Sequence, residues 1–223
     1  MNWKNERWLS LDLEATDKDP AVAQIVQVGL TWWHRGEQAE GLPGWTEHLV
    51  RPEDPIPAEA TAIHGITDAM VANAPSIEDL ALDIKQAVAS APVVIGYHAW
   101  DYDFPLLNRA IPGFRDLFRE CITIDVLHLV RTEGVGRYWK NEEGRPGRHT
   151  LGEACRRTGI DVDAERTHGA EYDTILTAQL LGWWRNALTD NGLAAQRWLL
   201  AERAAETARF EKWKADNPLP ESD

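Results

Sequence analysis

An α/β fold, one mixed sheet flanked by helices, is predicted by three features of the 223-residue sequence. Three β-rich segments come first and are joined by short connections. Two continuous apolar runs follow later. Helical periodicity fills the intervals between and after them. Strands first, then alternating strand and helix, means a sheet with antiparallel and parallel neighbours and helices around it. The hydrophobic fraction of 43% supports a substantial core. The length suggests one large domain or one and a half ordinary ones.

The elements follow in order. Residues 7–13, RWLSLDL, read as a strand that ends in acid, and residues 24–33, QIVQVGLTWW, as a second, β-rich strand after a turn at Thr16–Pro20. Residues 45–50 make a third, so the first three form an antiparallel meander. A Pro-rich loop, PEDPIPAEATAIHGIT, leads into a short helix. Residues 76–90 are helical: Ser76 is a good N-cap, Asp79 completes a capping box, and Ile77, Leu80, Ile84 and Val88 repeat at helical spacing. Residues 92–97, PVVIGY, and 121–124, CITI, are apolar runs typical of buried parallel strands. Five strands result. Helices are expected at 103–110, 113–119, just after 124, 150–158, 170–188 and 193–215, with a frayed end, DNPLPESD. The segment 133–149 is rich in Gly and charge and reads as the least ordered.

Composition excludes several classes. Lys plus Arg is 23 against 36 Asp plus Glu, a net charge of −13, which argues against wrapping duplex DNA by charge alone. A local excess of +3 sits in 131–157, where seven Lys/Arg face four Asp/Glu. No apolar stretch is long enough to span a membrane and no signal-peptide core opens the chain. Cys121 and Cys155 are too few for a disulfide framework or a four-ligand zinc site. A cytoplasmic protein without membrane contact is the expectation.

Three acidic motifs carry chemistry. Asp12 and Glu14 stand at i and i+2 of the first strand and so project from one face. Two such carboxylates repel unless a hard cation such as Mg²⁺ or Mn²⁺ lies between them. Asp103 falls where the strand 92–97 gives way to a helix, the place where ligands gather in α/β sheets. An alternative register puts Asp101 there. His168 and Asp173 flank the start of the helix 170–188. Each pattern also has an ordinary reading, as solvated strand-edge acids or as helix caps.

Taken together and in this order, the motifs resemble those of the DEDDh family of 3′-to-5′ exonucleases, which includes proofreading subunits of bacterial replicases and ribonuclease T. The resemblance runs through LDLEAT (11–16), YDFPLL (102–107) and HGAEYD (168–173), with IHGIT (63–67), CITIDVLHLVR and HTLGEACRRTGI as further landmarks. It covers roughly residues 5–185. It implies a ribonuclease H-like fold, a mixed five-stranded sheet flanked by helices, divided as 1–186 (exonuclease domain) and 187–223 (C-terminal helical extension and tail).

The resemblance also implies chemistry. Asp12, Glu14, Asp103 and Asp173 would hold two divalent cations, Mg²⁺ or Mn²⁺, and His168 would be the general base that takes a proton from water. Histidine suits that task because its ordinary pKa lies near neutrality. Glu59, His64 and the backbone around Ala15 and Thr16 would contact the terminal nucleotide. The activity expected is 3′-to-5′ hydrolysis of nucleic acid to nucleoside 5′-monophosphates. Single-stranded DNA is favoured over RNA because the acidic IHGIT region resembles proofreading subunits more closely. An exoribonuclease, or a module acting chiefly through a protein partner, is the alternative. Trp100 and Trp139, in loops near the site, could stack on bases. The extension could cover the domain as a lid, or meet a second copy or a polymerase.

Overall fold

A computed structural model describes residues 2–34, 37–39, 47–132, 135–137, 139–140 and 149–216. Trp45, Tyr138, most of the charged 133–149 segment and the terminal 217–223 lie outside the described residues, as does their share of the expectations above.

The sheet contains β1 (Arg7–Ala15), β2 (Ile25–His34), β3 (Glu37–Gln38), β4 (Glu47–Leu49), β5 (Val93–Gly96) and β6 (Ile122–Asp125). Its order is β3-β2-β1-β5-β6, with β4 also on β2. β1 and β2 pair antiparallel, whereas β1–β5 and β5–β6 are parallel, so the sheet is mixed as expected. All five anticipated strands are present. The sixth, two-residue β3 extends the hairpin after Trp33 by pairing with Trp33 and His34; it is too short to show any alternation in sequence.

The helices are α1 (Ala58–His64), α2 (Asp68–Val71), α3 (Ile77–Ala89), α4 (Asp103–Ala110), α5 (Phe114–Leu117), α6 (Val126–Val130), α7 (Leu151–Arg157), α8 (Ala170–Trp184) and α9 (Gly192–Asp216). The capping box starting α3 forms in both directions: Asp79 N–H donates to Ser76 Oγ at 3.3 Å, and Ser76 N–H donates to Asp79 Oδ2 at 2.9 Å. Leu80, Ile84 and Val88 are buried, each stabilising by about 1.5–3 kcal/mol relative to exposure.

Alternation along β1 divides the core. Leu9, Leu11 and Leu13 face one apolar cluster with α3 and α4. Trp8 faces the other, shared with α6, α8 and α9. Two elements beyond the family-like core complete that second layer. Residues before β1 are stapled to the turn before α9: Trp3 Nε1 donates to Thr189 O at 2.8 Å, and Lys4 Nζ pairs with Asp190 at 2.7 Å. The first half of α9 then lies on β6 and α6, burying Ala195 and Leu199. Gly192 eases the approach there, because a Cβ would come within 2.2 Å of Ile122 Cδ1 and 3.1 Å of Trp3 Cβ.

Candidate active site

The even-numbered face of β1 builds the site. Below Trp8, Ser10 Oγ donates to Thr174 O at 2.8 Å, which locks the register of α8 against the strand. Asp12 and Glu14, next on that face, therefore lie under the first turn of α8, which carries Asp173. Close approach of α8 depends on Gly29, the cross-strand partner of Asp12. A Cβ at Gly29 would sit 2.4 Å from the carbonyl carbon of Ala170 and 2.5 Å from its oxygen. Gly169 offers α8 no capping side chain. Gln27, opposite Glu14, supplies the missing acceptor: its Oε1 takes the Ala170 N–H at 3.0 Å, and its Nε2 donates to Glu47 at 2.7 Å.

The second motif is shaped by a turn between β5 and α4. Gly96 admits it, since a Cβ there would be 2.5 Å from Ala99 Cβ. His98 adopts a left-handed φ of 66°, uncommon for a residue with a Cβ. Asp125, fully buried at the end of β6, holds the turn. It accepts N–H bonds from His98, Trp100 and Leu127, all at 3.0 Å. Sequence reading placed CITID at a strand end but gave Asp125 no role; its only local signal is a single acid closing an apolar run.

This turn separates the two registers left open above. Asp103 is 4% exposed, and its Oδ1 is buried without a hydrogen-bond partner. Asp12 and Glu14 are both raised in pKa by its charge, so it belongs to the cluster. Asp101 turns the other way. It lies 3.2 Å from His128 Nε2 and pairs with Arg203 of α9, and His128 and Arg203 hold its carboxyl well below the usual range. Leu106 and Leu107 are fully buried on the core face of α4.

His168 completes the group, also with a left-handed φ, 63°. One ligand atom from each of Glu14, His168 and Asp173 falls within 4.8 Å of the others. Burial and mutual repulsion push the acids toward protonation. Glu14 rises to about 9 by burial and by the charges of Asp173 and Asp103. Asp103 rises to about 8 and Asp173 to about 6, both chiefly by burial, with His168 opposing the latter. Asp12 rises well above its usual value by burial and by all three neighbours. Four acids so placed can be ionised together only if positive charge offsets them. A donor set of carboxylate oxygens and one imidazole nitrogen, with an orphaned buried oxygen on Asp103, fits a divalent cation.

A cleft of about 530 Å³ opens beside this group, lined by Glu14, Ala15, Thr16, Glu59, His64, His98, Tyr102 and His168 among others. All four positions expected to touch a terminal nucleotide thus share one wall with Glu14 and His168. Glu59 is exposed on the rim. His64 Nδ1 accepts the Ile66 N–H at 3.0 Å, its Nε2 is buried without a hydrogen-bond partner, and burial lowers its pKa. The two tryptophans lie elsewhere. Trp100 stacks on His128 and donates Nε1 to Thr123, and Trp139 stacks on His149 with Arg157 over its ring. Both are packing residues of the second core cluster.

Comparison with known proteins gives the family. The family model RNase_T, described as Exonuclease, matches residues 9–181. The DNA polymerase III subunit epsilon-like protein of Rhodobacter capsulatus is 29% identical over 194 residues, covering 86% of this chain and 25% of that protein. The uncharacterized exonuclease CP81 of Escherichia phage 186 is 34% identical over 157 residues, covering 66% of this chain and 73% of that one. The chain spans between a quarter and about half of the replicase-subunit relatives from Rhodobacter capsulatus, Pasteurella multocida and Haemophilus influenzae. Exonuclease X, solved in complex with 5′-overhanging duplex DNA, superposes with a TM-score of 0.60 at 25% identity, covering 84% of this chain and 97% of that one. With the family model spanning the sheet, the cleft and all three acidic motifs, the chain belongs to the RNase T exonuclease family.

Proposed function

We propose that this protein is a metal-dependent 3′-to-5′ exonuclease that releases nucleoside 5′-monophosphates and prefers single-stranded DNA. The observation that carries the reading is the convergence of Asp12, Glu14, Asp103, Asp173 and His168, from three elements and the loop before α8, beside one cleft. Such crowding of buried acids destabilises a metal-free fold and is sensible only for a site that takes cations. Asp12, Glu14, Asp103 and Asp173 would hold two Mg²⁺ or Mn²⁺ ions, which when bound supply a more acidic water and stabilise charge on the attacking and leaving oxygens. His168 stands beside Glu14 and Asp173, so an imidazole nitrogen takes the proton from the attacking water. The water oxygen bonds to phosphorus, the P–O3′ bond breaks, and the 3′ oxygen collects a proton from solvent. The cleft wall at Ala15, Thr16, Glu59 and His64 orients the terminal nucleotide.

The DNA preference rests on the likeness of the IHGIT region to proofreading subunits and on exonuclease X having been solved with DNA. Action in the cytoplasm is part of this reading and is supported by the likeness to replicase subunits; among the described residues no helix is long and apolar enough to cross a membrane. One assay tests the whole reading. Matched single-stranded DNA, RNA and duplex oligonucleotides are incubated with EDTA, Mg²⁺ or Mn²⁺, and the products sized. Mononucleotides from single-stranded DNA, with metal only, are expected, and Asp12→Ala or His168→Ala abolishes them. Full activity of Asp12→Ala overturns the assignment, and faster RNA degradation overturns the substrate preference.

A further inference from the structure

We propose that Arg203 of α9 is a positioning residue for this exonuclease reaction. Paired with Asp101, it lets the C-terminal extension clasp the turn that presents Asp103. The inference rests on the exonuclease reading and adds to it a role for residues beyond 186, which the family model, ending at 181, does not reach.

Asp103 Oδ1 is buried with no hydrogen-bond partner. Asp103 opens α4 directly after residues 97–102, so the backbone of that turn helps set where its carboxylate stands. That backbone includes His98 at a left-handed φ, a conformation that persists only when its surroundings over-determine it. Asp125 restrains the turn from inside, through the N–H groups of His98 and Trp100. Asp101 restrains it from outside, through His128 and Arg203.

An exposed ion pair would ordinarily contribute little and merit no role. This one is different in three respects. His128, its second partner, is only 3% exposed and stacks on Trp100 of the same turn. Arg203 is held on a rigid support, because Ala195 and Leu199 are buried and Gln196 exchanges hydrogen bonds with Thr123 of β6 at 3.1 and 3.3 Å. One turn further along α9, Glu206 pairs with Arg131 at 3.3 Å, so the helix grips α6 as well. The extension therefore connects the β6 edge, α6 and the Asp103 turn into one unit.

The test uses the full chain, a single-stranded DNA oligonucleotide and Mn²⁺. Losses of outer partners around metal ligands typically cost about 10–100-fold. Arg203→Ala should lower kcat by about tenfold or more, leave KM within about twofold and raise the Mn²⁺ concentration for half-maximal rate. Arg203→Lys, which keeps the charge, should recover most of kcat. Arg209→Ala, on the exposed stretch of the same helix, should match the parent. Arg203 is 37% exposed, so its truncation leaves the buried face of α9 intact. If Arg203→Ala nevertheless unfolds, the exchanged pair Asp101→Arg with Arg203→Asp decides, restored kcat supporting the clasp and unrestored kcat overturning it. A kcat for Arg203→Ala equal to the parent, with Asp12→Ala inactive, overturns the clasp and leaves the exonuclease reading intact. An active Asp12→Ala overturns the exonuclease reading itself.

Discussion

Gly29→Ala is the smallest change that should disable the site without touching an acid. The added Cβ would stand 2.4 Å from Ala170 C, 2.5 Å from its oxygen and 2.9 Å from its Cβ. Two of those atoms are backbone, so no rotamer relieves the clash. Ordinary contact needs about 3.5 Å, so the start of α8 must retreat by about 1 Å. Asp173 sits one turn along that helix and His168 two residues before Ala170, so both retreat with it while Asp12 and Glu14 stay on β1. A displacement of about 1 Å costs on the order of 100-fold in rate. Overpacking of this kind costs about 1–3 kcal/mol, or about 2–12 °C in Tm for a chain this long. The assay is kcat on single-stranded DNA beside a thermal melt. Retention of parent-like kcat and Tm would refute the claim that the strand-to-helix approach sets the geometry.

Three more outcomes are expected. Glu14, Asp103 and Asp173 have folded-state pKa values raised to about 9, 8 and 6, so between their ordinary values and these the folded state binds more protons than the unfolded. Metal-free stability should thus fall as pH rises from about 4 to 9, and Mn²⁺ should raise Tm more at pH 8 than at pH 5.5; melts at both pH values check it. Asp125→Asn keeps shape but replaces one acceptor with a donor, leaving a buried N–H of the turn unpaired. A loss of about 1–3 kcal/mol in denaturant titration and a fall in kcat follow. Ser76→Ala removes the α3 capping box, far from the cleft, and should cost about 1 kcal/mol with kcat unchanged.

What could be read from the sequence was local. Asp12 and Glu14 declare themselves because strand alternation alone puts them side by side. Ser76 and Asp79 do so because a capping box spans four residues. Helix-start chemistry alone does not separate Asp103 from Asp101; the likeness of YDFPLL to the family motif, with Leu106 and Leu107 on the core face, favours Asp103. Asp101's partner Arg203 is 102 residues away and unrelated by any pattern. Gln27 was likewise hidden, since a polar residue in an apolar strand becomes a helix cap only when Ala170, 143 residues later, is laid on it. The tryptophans show the same limit: loop position leaves base stacking open, and only the fold shows Trp100 against His128 and Trp139 against His149 and Arg157.

The staple between Trp3 and Thr189 has a consequence for biosynthesis. β1 is a central strand, yet its lead-in is fixed by residues 188–190, and Ser10 waits for Thr174. At about 5–20 residues per second, the first strand of a nascent chain leaves the ribosome about 10–40 s before those partners exist. During that interval Trp8 lacks the neighbours that α6, α8 and α9 later supply, and Ser10 lacks its acceptor. Heat shock or chaperone depletion should therefore trap this protein chiefly as newly made, incomplete chains, while molecules already folded persist.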